Sequence, residues 1–338
     1  MTGGNPLPLS VVVAATDSPR ALARTLASLA GPDAGRVEVV VVDGFGSDGA
    51  DPPPGVRRVA APIGSSVPRL RRLGLEAATG VIVAFTEDSC VAAPGWGVAW
   101  IAAFADPSIA AGSGPVEHDA GSSALDWAVV FCEYAPFLPP SRPGSPSRLA
   151  GNNFAVDREL ALRLTDEKVY ETALLAAIHR AGGTVRTVEG AAVRHVRRFG
   201  PGEAIGDRLR FGLEFGRLRA RDDSPIARLA GLLAGPAIFG VQAGRLVRTV
   251  FRNRRHLVPF ARSLPITLAL LAAWSVGESL GWTLGPIRRP EPIDPAREAA
   301  RRDGASRRAS GVLRAIFSGR SRPGGLREGR GRSSGSSR

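Results

Sequence analysis

Several carboxylates in this 338-residue chain fall where they could do chemistry. Asp43 closes the apolar run Val37–Val42, and Glu87 and Asp88 follow the run Val81–Phe85. Glu171 stands at the start of a helical pattern that runs from Tyr170 to Ala181-Gly182-Gly183. A carboxylate at a strand end can accept N–H groups of a base, supply hard oxygen to Mg²⁺ or Mn²⁺, or take a proton from an attacking hydroxyl. Each also has a plain structural reading: Asp43 as a turn cap, Asp48 as an Asx turn, and Glu171 as a first-turn acid favoured by the helix dipole. Glu87 and Asp88 are adjacent, so on a strand their side chains point to opposite faces. Arg71, with Arg69 and Arg72, sits in the helical stretch Val67–Thr79. It could clamp a diphosphate with two parallel N–H donors or lie on a solvated basic face. His195 ends a short apolar run and is a ligand candidate; His118, His179 and His256 belong to no constellation.

Those residues need strands and helices to hold them. Leu9–Ala15 reads as a buried strand, and Asp17-Ser18-Pro19 caps a helix carrying Leu22, Leu26 and Leu29. Strands are predicted at Val37–Val42, Val56–Ala60 and Val81–Phe85, with the helix Val67–Thr79 between the last two. Further on come a turn at Gly112–Gly114, a helix at Ser123–Tyr134, a Pro/Ser loop at Pro136–Pro146 of the kind that covers an acceptor site, the segment Leu149–Val156, a helix from Asp157, and strands at Thr184–Val188 and Ala191–His195. Alternating strands and helices predict an α/β fold with a mostly parallel sheet and ligands outside the strands' carboxyl ends.

Composition narrows the class. Hydrophobic residues make up 44% and charged residues 22%, which fits a globular chain rather than a multi-span channel or a disordered polymer. The net charge of +13 is uneven: residues 288–338 hold fourteen arginines and five acids, leaving only +4 for the rest. Two cysteines, Cys90 and Cys132, make neither a disulfide framework nor metal-site spacing. The amino terminus has no basic stretch followed by an apolar core, so no signal peptide is expected. The Arg-rich tail is read as solvated or lipid-facing, and no nucleic-acid partner is expected, since it has few aromatics and no folded motif.

The ordered set VVVAAT, VEVVVVDGFGSDG, LRRLGLEAATGVIVAFTEDSC, PGW, GNNFAVDRE, YETALLAAIHRAGG and VRH resembles the family 2 glycosyltransferases, over residues 9–197. The resemblance implies a GT-A fold, a nucleotide-sugar donor, usually a divalent metal (Mg²⁺ or Mn²⁺), and inversion at the anomeric carbon. It implies that Asp43 holds the nucleotide base, that Arg71 neutralises the diphosphate, and that Glu87 and Asp88 stand at the donor and metal site. The family's Asp-x-Asp positions correspond here to Glu87 and Ser89, a departure that weakens the metal site. Glu171 takes the place of the catalytic aspartate, with Tyr170 in place of the preceding Glu. Asn152 and Asn153 fall in the acceptor-binding segment, and His195 where many members carry a histidine that is a weaker metal or phosphate ligand. A nucleotidyltransferase would need a Gly-rich loop that Ala14-Ala15-Thr16-Asp17 does not supply.

The expected organisation is a disordered start (1–8), a catalytic domain (9–197), an amphipathic connecting region (198–225), membrane-associated helical segments (226–285) and a disordered basic tail (286–338). Leu264–Leu284 is long enough to span a ~30 Å core, and Leu229–Gly244 is shorter than a usual span. Arginines flank both on every side, so two spans would carry the basic stretch Arg245–Arg262 across the membrane, against the positive-inside tendency; Glu278 also opposes a simple span. Interfacial or re-entrant segments on the cytoplasmic face, with membrane lipids as partners, fit better. The expected function is transfer of a sugar to a glycan or lipid-linked acceptor for the cell surface. The competing reading is a non-catalytic binding or scaffold protein that kept the fold.

Overall fold

The computed structural model describes residues 8–30, 35–46, 53–119, 121–140, 144, 146–220 and 224–285. The expected disorder of the first residues and of the basic tail, the turn at Asp48, and the centre of the Pro/Ser loop (141–143 and 145) lie outside the described residues. All described residues belong to one compact unit, residues 1–286.

The strands are β1 Leu9–Ala15, β2 Val37–Asp43, β3 Val56–Ala60, β4 Ile82–Glu87, β5 Cys90–Ala92, β6 Ile109–Ser113, β7 Val116–His118, β8 Asn153–Asp157, β9 Thr184–Thr187 and β10 Val193–His195. The helices are α1 Pro19–Leu29, α2 Val67–Ala77, α3 Trp96–Ala103, α4 Ala124–Tyr134, α5 Arg158–Leu164, α6 Glu171–Arg180, α7 Pro201–Arg219, α8 Pro225–Leu233, α9 Gly235–Asn253 and α10 Leu257–Leu284. Seven strands form one sheet in the order β3-β2-β1-β4-β8-β6-β9. Neighbours are parallel except at β8, which runs antiparallel to β4 and β6. A second sheet, β5-β10-β7, starts two residues after β4. It ties the strand bearing His195 to the segment that follows Asp88.

β1 is buried along its whole length because it alternates between two apolar layers. Val12 packs with Leu70, Leu75, Phe85, Leu174 and Ile178 on the α2 and α6 side. Val11 and Val13 pack with Trp96, Trp100 and Ile82 on the α3 side. Gly74 sets how close α2 comes: a Cβ there would lie 2.2 Å from Val12 Cγ1. That approach carries the preceding turn of α2, with Arg71, to the carboxyl end of β4.

The stretch expected as a connecting region is α7, a 19-residue helix lying along α10. Gly212 and Gly216 of α7 face Gly277 and Gly281 of α10, and a Cβ at any of the four would lie 2.1–2.4 Å from a carbonyl oxygen of the other helix. Two small-xxx-small stripes therefore bring the backbones together. The arginine-rich stretch expected between two apolar segments is instead largely helical: α9 runs to Asn253 and α10 begins at Leu257, with Arg254 at φ 53° in the break. Glu278 is buried but paired, receiving Arg219 Nη1 at 2.7 Å and Trp274 Nε1 at 2.8 Å. Gly281→Val, which pushes a branched side chain into the Leu213 carbonyl, should lower unfolding stability by about 1–3 kcal/mol, as read by thermal or urea denaturation.

Candidate functional site

The site forms where α2, β4, the turn before β8 and the start of α6 converge. At its centre is the Arg71 guanidinium, only 4% exposed. Its Nη1 donates to Glu171 Oε2 at 2.9 Å and to the Val169 carbonyl at 3.4 Å. Its Nη2 donates to Glu87 Oε1 at 3.1 Å and to the Gly151 carbonyl at 2.8 Å. The solvated-face reading therefore fails for Arg71, and its neighbours are only partly exposed and tied to other segments. Arg72 bonds Glu76 and Thr165, and Arg69 reaches the Glu167 carbonyl. The diphosphate clamp expected of Arg71 is not its arrangement here: both terminal nitrogens already serve the protein, and what they hold in place is the pair Glu87 and Glu171.

Glu171 is the first residue of α6, and its side chain remains 30% exposed. Gly151 lies directly against it; a Cβ there would be 3.0 Å from Arg71 Nη2 and 3.6 Å from the Glu171 carboxyl carbon. Asn152 is buried, and neither its Oδ1 nor its Nδ2 has a partner among the described residues. Asn153 is committed to the scaffold and does not serve as the expected acceptor contact. Its Oδ1 accepts Trp96 Nε1 at 3.0 Å, and its Nδ2 donates to the Pro115 and Ala191 carbonyls at 2.8 and 2.7 Å. Asp43 is likewise turned to its own loop, with Oδ1 taking the N–H groups of Phe45 and Gly46 and Oδ2 paired with Arg58.

Glu87 and Asp88 point apart. Asp88 Oδ2 accepts the backbone N–H groups of Thr16 and Asp17 at 3.0 and 2.7 Å, fixing the β1–α1 turn, while Oδ1 has no partner among the described residues. Burial pushes the Asp88 carboxyl up to about 6, against those two donors. His195 is buried between the rings of Tyr134 and Phe199, and burial lowers its imidazole to about 3. Its Nδ1 has no partner among the described residues.

The metal expectation can be tested on this donor set. Glu87 is occupied by Arg71, Asp88 offers one open oxygen, and among the described residues no group of three or more His, Cys, Asp or Glu could hold an ion. A hard divalent cation takes six or more oxygen ligands, and such ions are commonly completed by substrate phosphates and water, so Glu87 and Asp88 would hold one only together with a donor's diphosphate and do not make a resident metal site on their own. Titration of the nucleotide-free chain with MnCl₂ should give no saturable binding tighter than about 10⁻⁴ M.

Three further charged residues line this region that the sequence reading passed over: Glu133 at the end of α4, Arg197 after β10, and Arg208 on α7. Arg208 belongs to the buried stripe Ala204, Arg208, Gly212, Gly216. An arginine in a run of small residues at four-residue spacing was the available signal.

Comparison with known proteins places the architecture. No family model matches the sequence, and no curated protein does. Among solved structures, the mannosyltransferase PcManGT from Pyrobaculum calidifontis, in complex with GDP-Man and Mn²⁺, is similar with a TM-score of 0.51 at 20% identity, over 81% of this chain and 87% of that one. The fold is similar to that of the GT-A glycosyltransferases. GalNAc-T7 with UDP, GalNAc and Mn²⁺ matches at a TM-score of 0.45 and 18% identity, over 57% of this chain and 44% of that one. The chain thus spans less than half the length of GalNAc-T7. A mycobacterial protein matches at 0.42 and 20%, over 60% and 72% of the two chains.

Removing the central cation strands two carboxylates. Arg71→Met should cost about 3 kcal/mol of unfolding stability, at the low end for a broken buried pair because both acids reach solvent. Arg71→Lys, with one ammonium in place of a fork, should recover part of it in urea denaturation.

Proposed function

We propose that this chain is an inverting glycosyltransferase that moves a sugar from a nucleotide-sugar donor to an acceptor hydroxyl or phosphate. The observation that supports this most is the Arg71 clamp, which holds Glu171 beside the carboxyl end of β4 in a GT-A-like fold. In this reading Glu171 is the general base. As the acceptor oxygen bonds to the anomeric carbon, the bond from that carbon to the donor's diphosphate breaks, and any proton on the attacking oxygen passes to a Glu171 carboxylate oxygen. Arg71 is a positioning residue: its donors keep the carboxylate aimed. The unpartnered amide of Asn152, in the adjoining turn, would orient an acceptor hydroxyl.

The test is turnover of a panel of nucleotide sugars, with released nucleotide as the signal. Glu171→Gln keeps the volume and removes the basicity, so donor binding should persist while transfer falls roughly 10²–10⁴-fold. Transfer within about threefold of wild type would place the base elsewhere. Absence of turnover in both forms would favour the binding-protein reading.

We also propose that the chain works at a membrane, with its catalytic part on the cytoplasmic side. α10 is long and apolar enough to cross a bilayer, and α8 with α9 passes the same test only as a pair bent by 49°. The burial of α10 is inverted relative to a water-facing helix. Besides Phe260, Leu270 and Leu271, its inward residues include Ser263, Thr267, Ser275, Gly277, Ser279 and Gly281, while Val258, Leu268, Val276 and Leu280 face out. Ile226, Leu229 and Leu233 of α8 and Phe251 of α9 are exposed too. Small inward and apolar outward residues suit a lipid neighbour, and Arg245, Arg248 and Arg252 on α9 suit anionic headgroups. An interfacial or re-entrant placement keeps all these arginines on one side. Full-length protein should sediment with membranes at low salt; clean recovery in the soluble fraction would overturn this reading.

A further inference from the structure

Arg208 is a buried cation that the fold does not satisfy. It projects from α7 and is 4% exposed. Nothing among the described residues accepts a hydrogen bond from its Nε, and the closest carboxylate oxygen, Glu133 Oε1, is 3.6 Å from Nη1, too far for a hydrogen bond. Its guanidinium carbon lies 4.4 Å from the centre of the Trp274 ring of α10. That contact stabilises the charge from one face and leaves the buried Nε–H without an acceptor among the described residues. A buried N–H of a charged group without an acceptor is costly, so its retention calls for an occupant.

The surroundings say what kind. Glu133 adjoins Tyr134 at the carboxyl end of α4, and the Tyr134 ring lies 5.3 Å from that of His195, which pairs across β10 and β5 with Cys90, just beyond Glu87 and Asp88. Through Glu133, Arg208 is therefore on the side of the site where β5 and β10 meet α4. Arg197 is bonded through Nη2 to Glu203 of α7, and its Nε lies 3.9 Å from Asp17 Oδ1, an ion pair too long for a hydrogen bond; Asp17 in turn donates its backbone N–H to Asp88, which puts Arg197 at the carboxyl ends of β1 and β4. Burial raises the Glu133 carboxyl above its ordinary value, and at 3.6 Å it holds Arg208 only loosely. Two guanidinium groups, each with a buried Nε–H that has no hydrogen-bond acceptor among the described residues, match the oxygens of a phosphoryl group.

We propose that Arg208, seconded by Arg197, binds a phosphoryl group of the substrate. The proposal rests on the transferase reading. The phosphoryl group has two sources, the donor's diphosphate and the headgroup of a lipid phosphate acceptor, and the two are separable by experiment. Glu133 is then a competitor for Arg208, displaced when the ligand enters.

Calorimetric titration of the full chain with pyrophosphate compares wild type with Arg208→Gln, Arg208→Lys and Glu133→Gln. Arg208→Gln should weaken binding at least about tenfold, and Arg208→Lys should restore part of the loss. Glu133→Gln should tighten binding, because it removes the internal rival. Repeating the series with UDP and GDP, and with phosphatidylcholine vesicles that carry or lack phosphatidic acid, assigns the source. A loss confined to the nucleotides identifies the donor diphosphate, and one confined to phosphatidic acid identifies a lipid headgroup. Equal binding by wild type and a folded Arg208→Gln overturns the proposal. So does a Glu133→Gln variant that binds more weakly than wild type, a readout that stands even where Arg208→Gln fails to fold. Wild-type chain that binds pyrophosphate through Arg208 yet turns over no nucleotide sugar would overturn the transferase reading alone. Sugar transfer at an undiminished rate by Arg208→Gln would overturn this proposal alone.

Discussion

One buried guanidinium governs the geometry of the cleft. Arg71 reaches β4 through Glu87, α6 through Glu171, and the turn before β8 through the Gly151 carbonyl. These elements are separated by as many as 100 residues in the chain, and two of them are parts of different βα units. A charge in low dielectric must be matched by nearby opposite charge and hydrogen-bond acceptors. The convergence of two carboxylates and two carbonyls is therefore a condition for burying Arg71 at all. The same condition keeps Glu171 from wandering as an exposed first-turn glutamate would.

Close approach makes that burial possible. Without a side chain, Gly74 lets α2 settle on Val12, and Gly151 leaves room for the Arg71 fork beside Glu171. The same device recurs at larger scale between α7 and α10, where four glycines let two helices meet backbone to backbone. Arg219 then reaches Glu278, and Arg208 lies over Trp274. The helical part is thus joined to the site by α7, whose buried stripe packs Gly212 and Gly216 on α10 and, one turn before Gly212, carries Arg208 between Trp274 and Glu133.

Two charges show how context reverses a plain reading. Glu278 argues against lipid contact when read as one acidic residue in an apolar stretch, yet its carboxylate is enclosed by Arg219 and Trp274 and turned from the outer face. Asp88 has the residue type of a metal ligand, but backbone N–H groups of Thr16 and Asp17 claim one of its oxygens and use it to shape a turn.

The sequence by itself determined the elements whose signal is local. β1, β2 and β4 are largely apolar runs, and α1 is announced by Ser18-Pro19. Short-range hydrogen bonding and hydrophobic period are enough to specify such segments. It also put Asp43, Glu87 and Glu171 at strand and helix ends, because termini follow from the same local rules. β5, β7 and β10 have three residues each, too few for a period to show, and they form because neighbouring chain supplies their ladder partners. Which charges meet was decided only in three dimensions. Arg71, Arg69 and Arg72 are alike in sequence, and only packing of α2 on the sheet turns Arg71 inward. Asn152 and Asn153 are adjacent and identical, yet one amide is consumed by Trp96 and two carbonyls while the other is left unpaired. Ion pairs and buried hydrogen bonds depend on distances between segments far apart in the chain. Residue type and spacing place a group on its own element, and only the packing of elements against one another supplies its partner.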